Sequence, residues 1–206
     1  MNPRKVFWAL MFFLAACCSP WSSFADDDLA GDDVASVVQL EVFVRGDKPS
    51  ANDVADYVTE LKRRNPGLDV ITRDVIQDRG HLKRLYELTK KAGRSKPVVP
   101  AFHCCDRMYF GFEGAAKSGP AIEELFTADV YTRDTCPRCA NAKVFIATLK
   151  KRWPAIRFRV LEISSDAVAR QRWENLCRGS GSTPGLPVID FGGHVIIGYQ
   201  GDEVTR

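Results

Sequence analysis

Cys136-Pro137-Arg138-Cys139 is the stretch of this 206-residue chain whose residue types and spacing most directly permit chemistry. Two thiols in a C-x-x-C arrangement can close on each other as a disulfide and reopen by exchange with another thiol. The preceding Tyr131-Thr132-Arg133-Asp134-Thr135 reads as the end of a strand, and the residues after Cys139 as an amphipathic helix. Pro137 suits the first helical position, where its missing N–H costs nothing. Cys136 is therefore predicted at the helix cap and Cys139 one turn further in. The positive end of the helix, with Arg133, Arg138 and Lys143, favours a Cys136 thiolate. Cysteines so placed fall from a pKa near 8.5 to between about 3.5 and 7.5. Cys136 is predicted to be the attacking sulfur and Cys139, nearer the sheet, the resolving one. The competing reading is a static disulfide of an exported protein, but a strand-to-helix position among bases favours exchange. A zinc site would need a second pair of ligands, which only His103, Cys104 and Cys105 could supply, so no metal is expected.

The elements that must hold these thiols emerge from an internal repeat. Val54, Tyr57, Val58 and Leu61 have the spacing of an amphipathic helix, and Ala142, Phe145, Ile146 and Leu149 repeat it 88 residues later. The same offset carries Phe43 to Tyr131, Pro49 to Pro137, Pro66 to Pro154 and Asp74 to Glu162. With one residue dropped, Pro97 matches Pro184, Pro100 matches Pro187 and Gly111 matches Gly198. Each copy is predicted as βαβαββα. In the first, strands are expected at 37–44, 68–75, 98–103 and 107–112, and helices at 50–64 and 80–92. A closing helix is expected to begin at Ile122. The predicted fold class is α/β, two tandem domains each with a mixed four-stranded sheet flanked by helices. The expected divisions are a signal segment at 1–25, a first domain at 36–127 and a second at 128–206, whose last helix would be cut short at Arg206.

Tyr131-Thr132-x-x-Thr135-Cys136-Pro137-x-Cys139, followed by Gly185-Leu186-Pro187-Val188-Ile189-Asp190 and by Gly192-Gly193-His194-Val195-Ile196-Ile197-Gly198-Tyr199, resembles glutaredoxins and related thioredoxin-fold redox proteins. The resemblance covers most of residues 129–202. It implies a thiol-disulfide oxidoreductase in which Cys136 and Cys139 exchange disulfides and no cofactor is needed beyond that pair. It further implies that Pro187 is cis and that Leu186 and Pro187, with Pro137 and Arg138, line the groove for a protein or small-molecule thiol substrate. The family's Thr-Val-Pro is Gly185-Leu186-Pro187 here, Arg138 replaces a common aromatic, and Gly198-Tyr199 replaces a Gly-Gly pair. Those positions help to hold glutathione in the family, so dependence on glutathione is not expected. The first copy has Lys48-Pro49-Ser50-Ala51 at the corresponding place, which retains the proline and lacks both sulfurs. It is expected to be redox-inert at that site. Cys104-Cys105, placed by this pattern in an exposed hairpin turn, reads either as idle thiols or a strained pair, or as an auxiliary redox pair serving Cys136. Cys177 reads as a buried small hydrophobe.

The first 25 residues open with Arg4 and Lys5, run apolar from Val6 to Cys18, and end at Ser23 and Ala25 before three aspartates. That is the pattern of a secretory signal, too short to span a bilayer. Leu14-Ala15-Ala16-Cys17 also resembles a bacterial lipobox, so cleavage after Ala25 and lipidation of Cys17 are both open. A periplasmic or otherwise extracytoplasmic location is expected, with a membrane electron-transfer partner as one source of electrons. The formal charge is +3 and no block of like charge stands out, which argues against nucleic acid as a partner. From Asp26 to Thr127 there are 15 basic and 18 acidic residues, and from Ala128 onward 12 and 8, so an acidic half is expected to pack against a basic one.

Overall fold

The chain was analysed as a computed structural model that describes residues 35–181 and 183–199. The signal segment with Cys17, and the end of the chain from Gln200, lie outside the described residues. The first sheet is built from β1 (Val38–Val44), β2 (Leu68–Asp74), β3 (Ala101–Cys104) and β4 (Arg107–Phe110) in the order β2-β1-β3-β4. The second is built from β5 (Thr127–Thr132), β6 (Arg157–Glu162), β7 (Val188–Phe191) and β8 (His194–Ile197) in the order β6-β5-β7-β8. In each sheet the first two strands pair in parallel across a helical crossover and the rest are antiparallel. Helices α1 (Ser50–Arg64), α2 (Arg79–Lys91) and α3 (Ala115–Glu123) cover the first sheet, and α4 (Pro137–Arg152) and α5 (Ala167–Gly179) flank the second. The fold is thus α/β, two mixed four-stranded sheets flanked by helices in thioredoxin-like order.

The strand registers reproduce the repeat residue for residue. Val42 pairs with Thr72 and Phe102, and Val130, 88 positions on, pairs with Val160 and Ile189. Gly111 donates its N–H to the Pro100 carbonyl at 2.7 Å, and Gly198 does the same to Pro187 at 2.7 Å. The peptide bonds before Pro100 and Pro187 are both cis.

The core forms where alternation along β1 meets the helical stripes. Leu40 and Val42 face Val54, Tyr57, Leu61 and Ile122, while Phe43 faces Leu85 and Leu88 on the other side. In the second sheet Val130 packs with Ile146 and Ile189, and Tyr131 with Ala169, Cys177 and Val188. Cys177 is buried, as its helical position suggested.

Two elements differ from the sequence reading. β3 begins at Ala101 rather than Val98, because Pro97 and Pro100 have no N–H to give to a ladder. The closing helix of the first half starts at Ala115, before Ile122, and ends at Glu123, passing through Gly119 and Pro120. Gly114 turns the chain at φ 96°, and the Ser118 hydroxyl accepts the Glu113 N–H at 2.9 Å, which sets the start. Tyr57 lies against Gly119 and donates its hydroxyl to the Gly119 carbonyl at 3.4 Å, which ties this helix to α1. A 3-10 turn at Glu124–Phe126 leads straight into β5 without a linker.

The halves are joined by apolar and charged contacts. Ala155 is part of the first half's core, with Trp153 and Ile156 packed beside it. Ser36 donates to the Arg152 carbonyl at 2.7 Å. Arg157 pairs with Glu123 and Arg159 with Glu124 at 2.6 Å, so acid of the first half meets base of the second, while Arg159 also holds Asp129 of its own half at 2.6 Å. These pairs are partly exposed and each contributes about 1 kcal/mol or less.

The hairpin turns of the two sheets also touch. Gly192, at φ 63°, comes so close to the Cys105 carbonyl that an added Cβ would lie 2.9 Å from it. Gly193, at φ 86°, has nothing within 4 Å of the same atom. Gly193→Ala should therefore cost about 1 kcal/mol, the left-handed backbone alone. Gly192→Ala should cost roughly 2 kcal/mol or more, adding the displaced contact between halves. Denaturant melts of both variants measure the difference; equal losses would mean that the contact between the turns contributes nothing.

Candidate functional site

The redox pair sits where β5 ends and α4 begins. Cys136 is the N-cap of α4 and Pro137 its first residue. Cys136 and Cys139 form a disulfide with their Cα atoms 5.2 Å apart. The Cys139 N–H donates to Cys136 Sγ at 3.2 Å, so the helix end addresses the outer sulfur directly. Cys136 is half-buried, whereas Cys139 is only 1% exposed and packs inward. One sulfur can meet a partner from solvent while the other waits beneath it.

Pro137 and Arg138 are exposed beside the outer sulfur. Pro187 is buried directly before β7, whose Val188 is the ladder partner of Tyr131 in β5. Leu186 is half-buried against the Tyr131 core, and Trp173 fixes the loop by donating its indole N–H to the Gly185 carbonyl at 3.0 Å. The structure thus places Leu186 and Pro187 at the same end of the sheet as the cysteines. Arg133 and Arg138 are exposed, and Lys143 lies 3.9 Å from the Asp134 carboxylate, which offsets part of its charge.

Sequence reasoning did not single out Glu162, the ladder neighbour of Thr132 beside this site. Its Oε1 accepts the Ser164 N–H at 3.1 Å. Burial pushes its pKa up, but hydrogen bonds from Ser164 and the nearby charge of Lys143 hold it below the ordinary carboxylate value. The repeat carried the signal: Asp74, its counterpart, accepts the Ile76 N–H at 2.9 Å in the same way.

The corresponding place in the first half is a cavity of about 340 Å³ lined by Val44, Arg45, Lys48, Ser50, Ala51, Val99 and Pro100. It keeps the cis proline and the helix start and holds no sulfur. A second cavity, of about 680 Å³, lies on the α5 side of the second sheet, with Asp129, Asp190, Tyr131 and Arg172 among its walls. Neither Cys136 nor Cys139 lines it. Burial, with the carboxylates of Asp129 and Asp190, pushes the Tyr131 hydroxyl up to about 12. Glu41 and His103, which hydrogen-bond to each other at 2.9 Å, occupy the matching positions in the first half. The ring nitrogen of His103 that meets Glu41 is Nδ1.

No protein-family model matches the chain, and no curated protein matches it. Among solved structures, 11 chains match. One is a glutaredoxin from Archaeoglobus fulgidus, 21% identical over 38% of this chain and 80% of that one, with a TM-score of 0.30. Another is the N-terminal domain of the alkylhydroperoxide reductase AhpF from Enterococcus faecalis, 10% identical over 82% and 88%, with a TM-score of 0.32. A third is a protein disulfide oxidoreductase from Aeropyrum pernix, 13% identical over 82% of each chain, with a TM-score of 0.29. Likeness at this level assigns no activity, which has to come from the chain's own residues.

Proposed function

We propose that the chain is a thiol-disulfide oxidoreductase that works outside the cytoplasm by dithiol exchange at Cys136 and Cys139. The observation that carries this reading is the half-buried Cys136 sulfur at the cap of α4, accepting the Cys139 N–H above a buried partner sulfur. In the reduced form the Cys136 thiolate attacks a substrate disulfide, whose S–S bond breaks as one thiolate departs. Cys139 then loses its proton and attacks Cys136 Sγ, closing the internal disulfide and releasing the second thiol. The reverse sequence oxidises a dithiol substrate. Pro137, Arg138, Leu186 and Pro187 are proposed to line the groove that receives the protein or small-molecule thiol. No resident cofactor or metal is needed for these steps.

The first half, 36–127, is proposed to be redox-inert at its vestigial site and to support the second, 128–206. The leader at 1–25 supports export, with a membrane electron carrier as a proposed partner. The departures at Gly185, Arg138 and Tyr199 support a reaction that does not require glutathione.

The test is the equilibrium reduction potential of the pair in thiol buffers. A value between about −120 and −270 mV is expected, the range of exchange catalysts. A value well below about −300 mV would mark a static disulfide and turn the reading to a non-catalytic envelope adaptor. After mild reduction, Cys136 should also alkylate below pH 7 much faster than the buried Cys139; equal slow labelling would point the same way as the low potential.

A further inference from the structure

We propose that Cys104 and Cys105 form a second redox centre, a vicinal dithiol that exchanges directly with external protein or small-molecule disulfides. This inference is independent of the reading of Cys136 and Cys139.

Three observations carry it. The two sulfurs are unbonded and 3.3 Å apart, in hydrogen-bond contact, so little motion separates the dithiol from a closed pair. Their burial is graded: Cys104 is 1% exposed at the end of β3, in the core, while Cys105 is half-buried in the turn. That is the same division into a reachable and a sheltered sulfur as at Cys136 and Cys139. The exposed turn expected from sequence for both residues is therefore corrected for Cys104, which completes β3 and faces inward.

The third observation is the backbone. Cys105 and Asp106 have φ values of 50° and 60°, both left-handed, where the equivalent turn of the second sheet uses Gly192 and Gly193. A cysteine in that region costs roughly 1 kcal/mol or more, and backbone strain of this kind clusters at functional sites. The contact between sulfurs also divides their acidity. The hydrogen bond from Cys104 draws the Cys105 thiol below its ordinary pKa, with burial and Asp106 opposing and Arg107 aiding, and the same contact together with burial pushes Cys104 up. Cys105 is thus the sulfur that ionises.

The reaction balances as an exchange. The Cys105 thiolate attacks an external disulfide, forming a mixed disulfide and expelling one thiolate. Cys104 gives up its proton and attacks Cys105 Sγ, forming the Cys104–Cys105 bond and expelling the second thiol. The external disulfide gains two electrons and the vicinal pair loses them. Adjacent Cα atoms are about 3.8 Å apart, below the usual range of about 4.4 to 6.8 Å for a disulfide. The closed form is therefore strained and readily reduced, as befits a centre that cycles. It acts separately from Cys136. The Cys105 turn abuts Gly192 at the far end of β7, whereas Cys136 follows the opposite end of β5. The six residues of β5 separate those ends by roughly 15 to 20 Å.

The full chain, poised in mixtures of reduced and oxidised glutathione and then alkylated, tests this by peptide mass. Trypsin releases Ser95 to Arg107 as one peptide holding these two cysteines alone. The expected result is that both alkyl adducts vanish together as the buffer becomes oxidising, leaving the peptide lighter by two hydrogens. In Cys104→Ser, Cys105 should instead accumulate as a glutathione mixed disulfide. Oxidation of the pair in Cys136→Ser should match that of the unaltered chain. A peptide that stays doubly alkylated in the most oxidising buffer, or that links two chains, overturns the proposal. So does loss of the pair's oxidation in Cys136→Ser, which would make it dependent on the other site.

Discussion

In a Cys104→Ser, Cys105→Ser background, which leaves exchange to the Cys136 and Cys139 pair alone, Cys136→Ser is expected to reduce disulfide exchange to the uncatalysed background, a loss of at least about 10³-fold. The reason is positional. Cys136 is the sulfur that caps α4 and is reachable from solvent, while Cys139 is buried beneath it. Serine keeps the capping oxygen and hence the helix start, but an alcohol cannot act as the thiolate does. Cys139→Ser should behave differently. Attack at Cys136 survives, resolution does not, and the mixed disulfide with substrate accumulates. Turnover of an aromatic disulfide that releases a coloured thiol measures the first effect, and non-reducing electrophoresis the second. Full retention of turnover on Cys136→Ser in that background, with unchanged denaturant midpoints, would remove Cys136 from the mechanism.

Glu41→Ala is expected to cost about 3 kcal/mol of stability, the penalty typical of breaking a buried ion pair by removing one partner. Glu41 is 3% exposed in the middle of β1. Its carboxylate accepts from Arg73 at 2.7 Å and from Arg84 at 3.0 Å, and lies 2.9 Å from His103. Removal leaves two guanidinium groups and an imidazole facing one another around a void. Denaturant unfolding at neutral pH measures this, and a loss below about 0.5 kcal/mol would show that water replaces the carboxylate without cost.

The same cluster sets an acid limit. Burial pushes the Glu41 pKa up, but hydrogen bonds and charge from Arg84 and Arg73 outweigh it and hold the carboxyl below its ordinary value. Its stabilisation is present above the unfolded pKa, near 4.3, and is lost as pH falls through the lower folded value. Burial pushes His103 down, against the pull of Glu41, so the folded state favours neutral imidazole. That contribution is present above the unfolded value near 6.5 and is likewise lost as pH falls. Both groups act in one direction, so stability should decline on acidification below about pH 6.5. Glu41→Ala should flatten the part of that decline near pH 4, and an unchanged pH profile would assign it to other groups.

Much of the architecture was legible because local periodicity and the 88- and 87-residue offsets are properties of the chain itself. The helical stripe from Val54 to Leu61, the strand-to-helix step at Cys136 and the paired prolines at 100 and 187 can all be read without knowing what lies across the sheet. The closing helix escaped that reading because Gly119 and Pro120 break local rules, and the packing of Tyr57 from a distant helix overrides them. Cys104 was placed wrongly in the open because its burial depends on a core gathered from α1, Ile122 and the turn at Leu125 and Phe126, which its own neighbours in the chain do not reveal. Glu41 drew no notice as one acid in an apolar run, since its partners stand 32, 43 and 62 residues away.

The two-fold repeat, the order of elements, and the presence of a C-x-x-C in one copy and its absence from the other are written in the linear chain. Those features rest on spacing and residue type, which act between near neighbours. Which sulfur of the Cys104 and Cys105 pair is sheltered, which carboxylate is buried among cations, and which turns of the two halves meet are settled by the fold. Those properties come from burial and contact between residues far apart in the chain, and a linear pattern does not carry them.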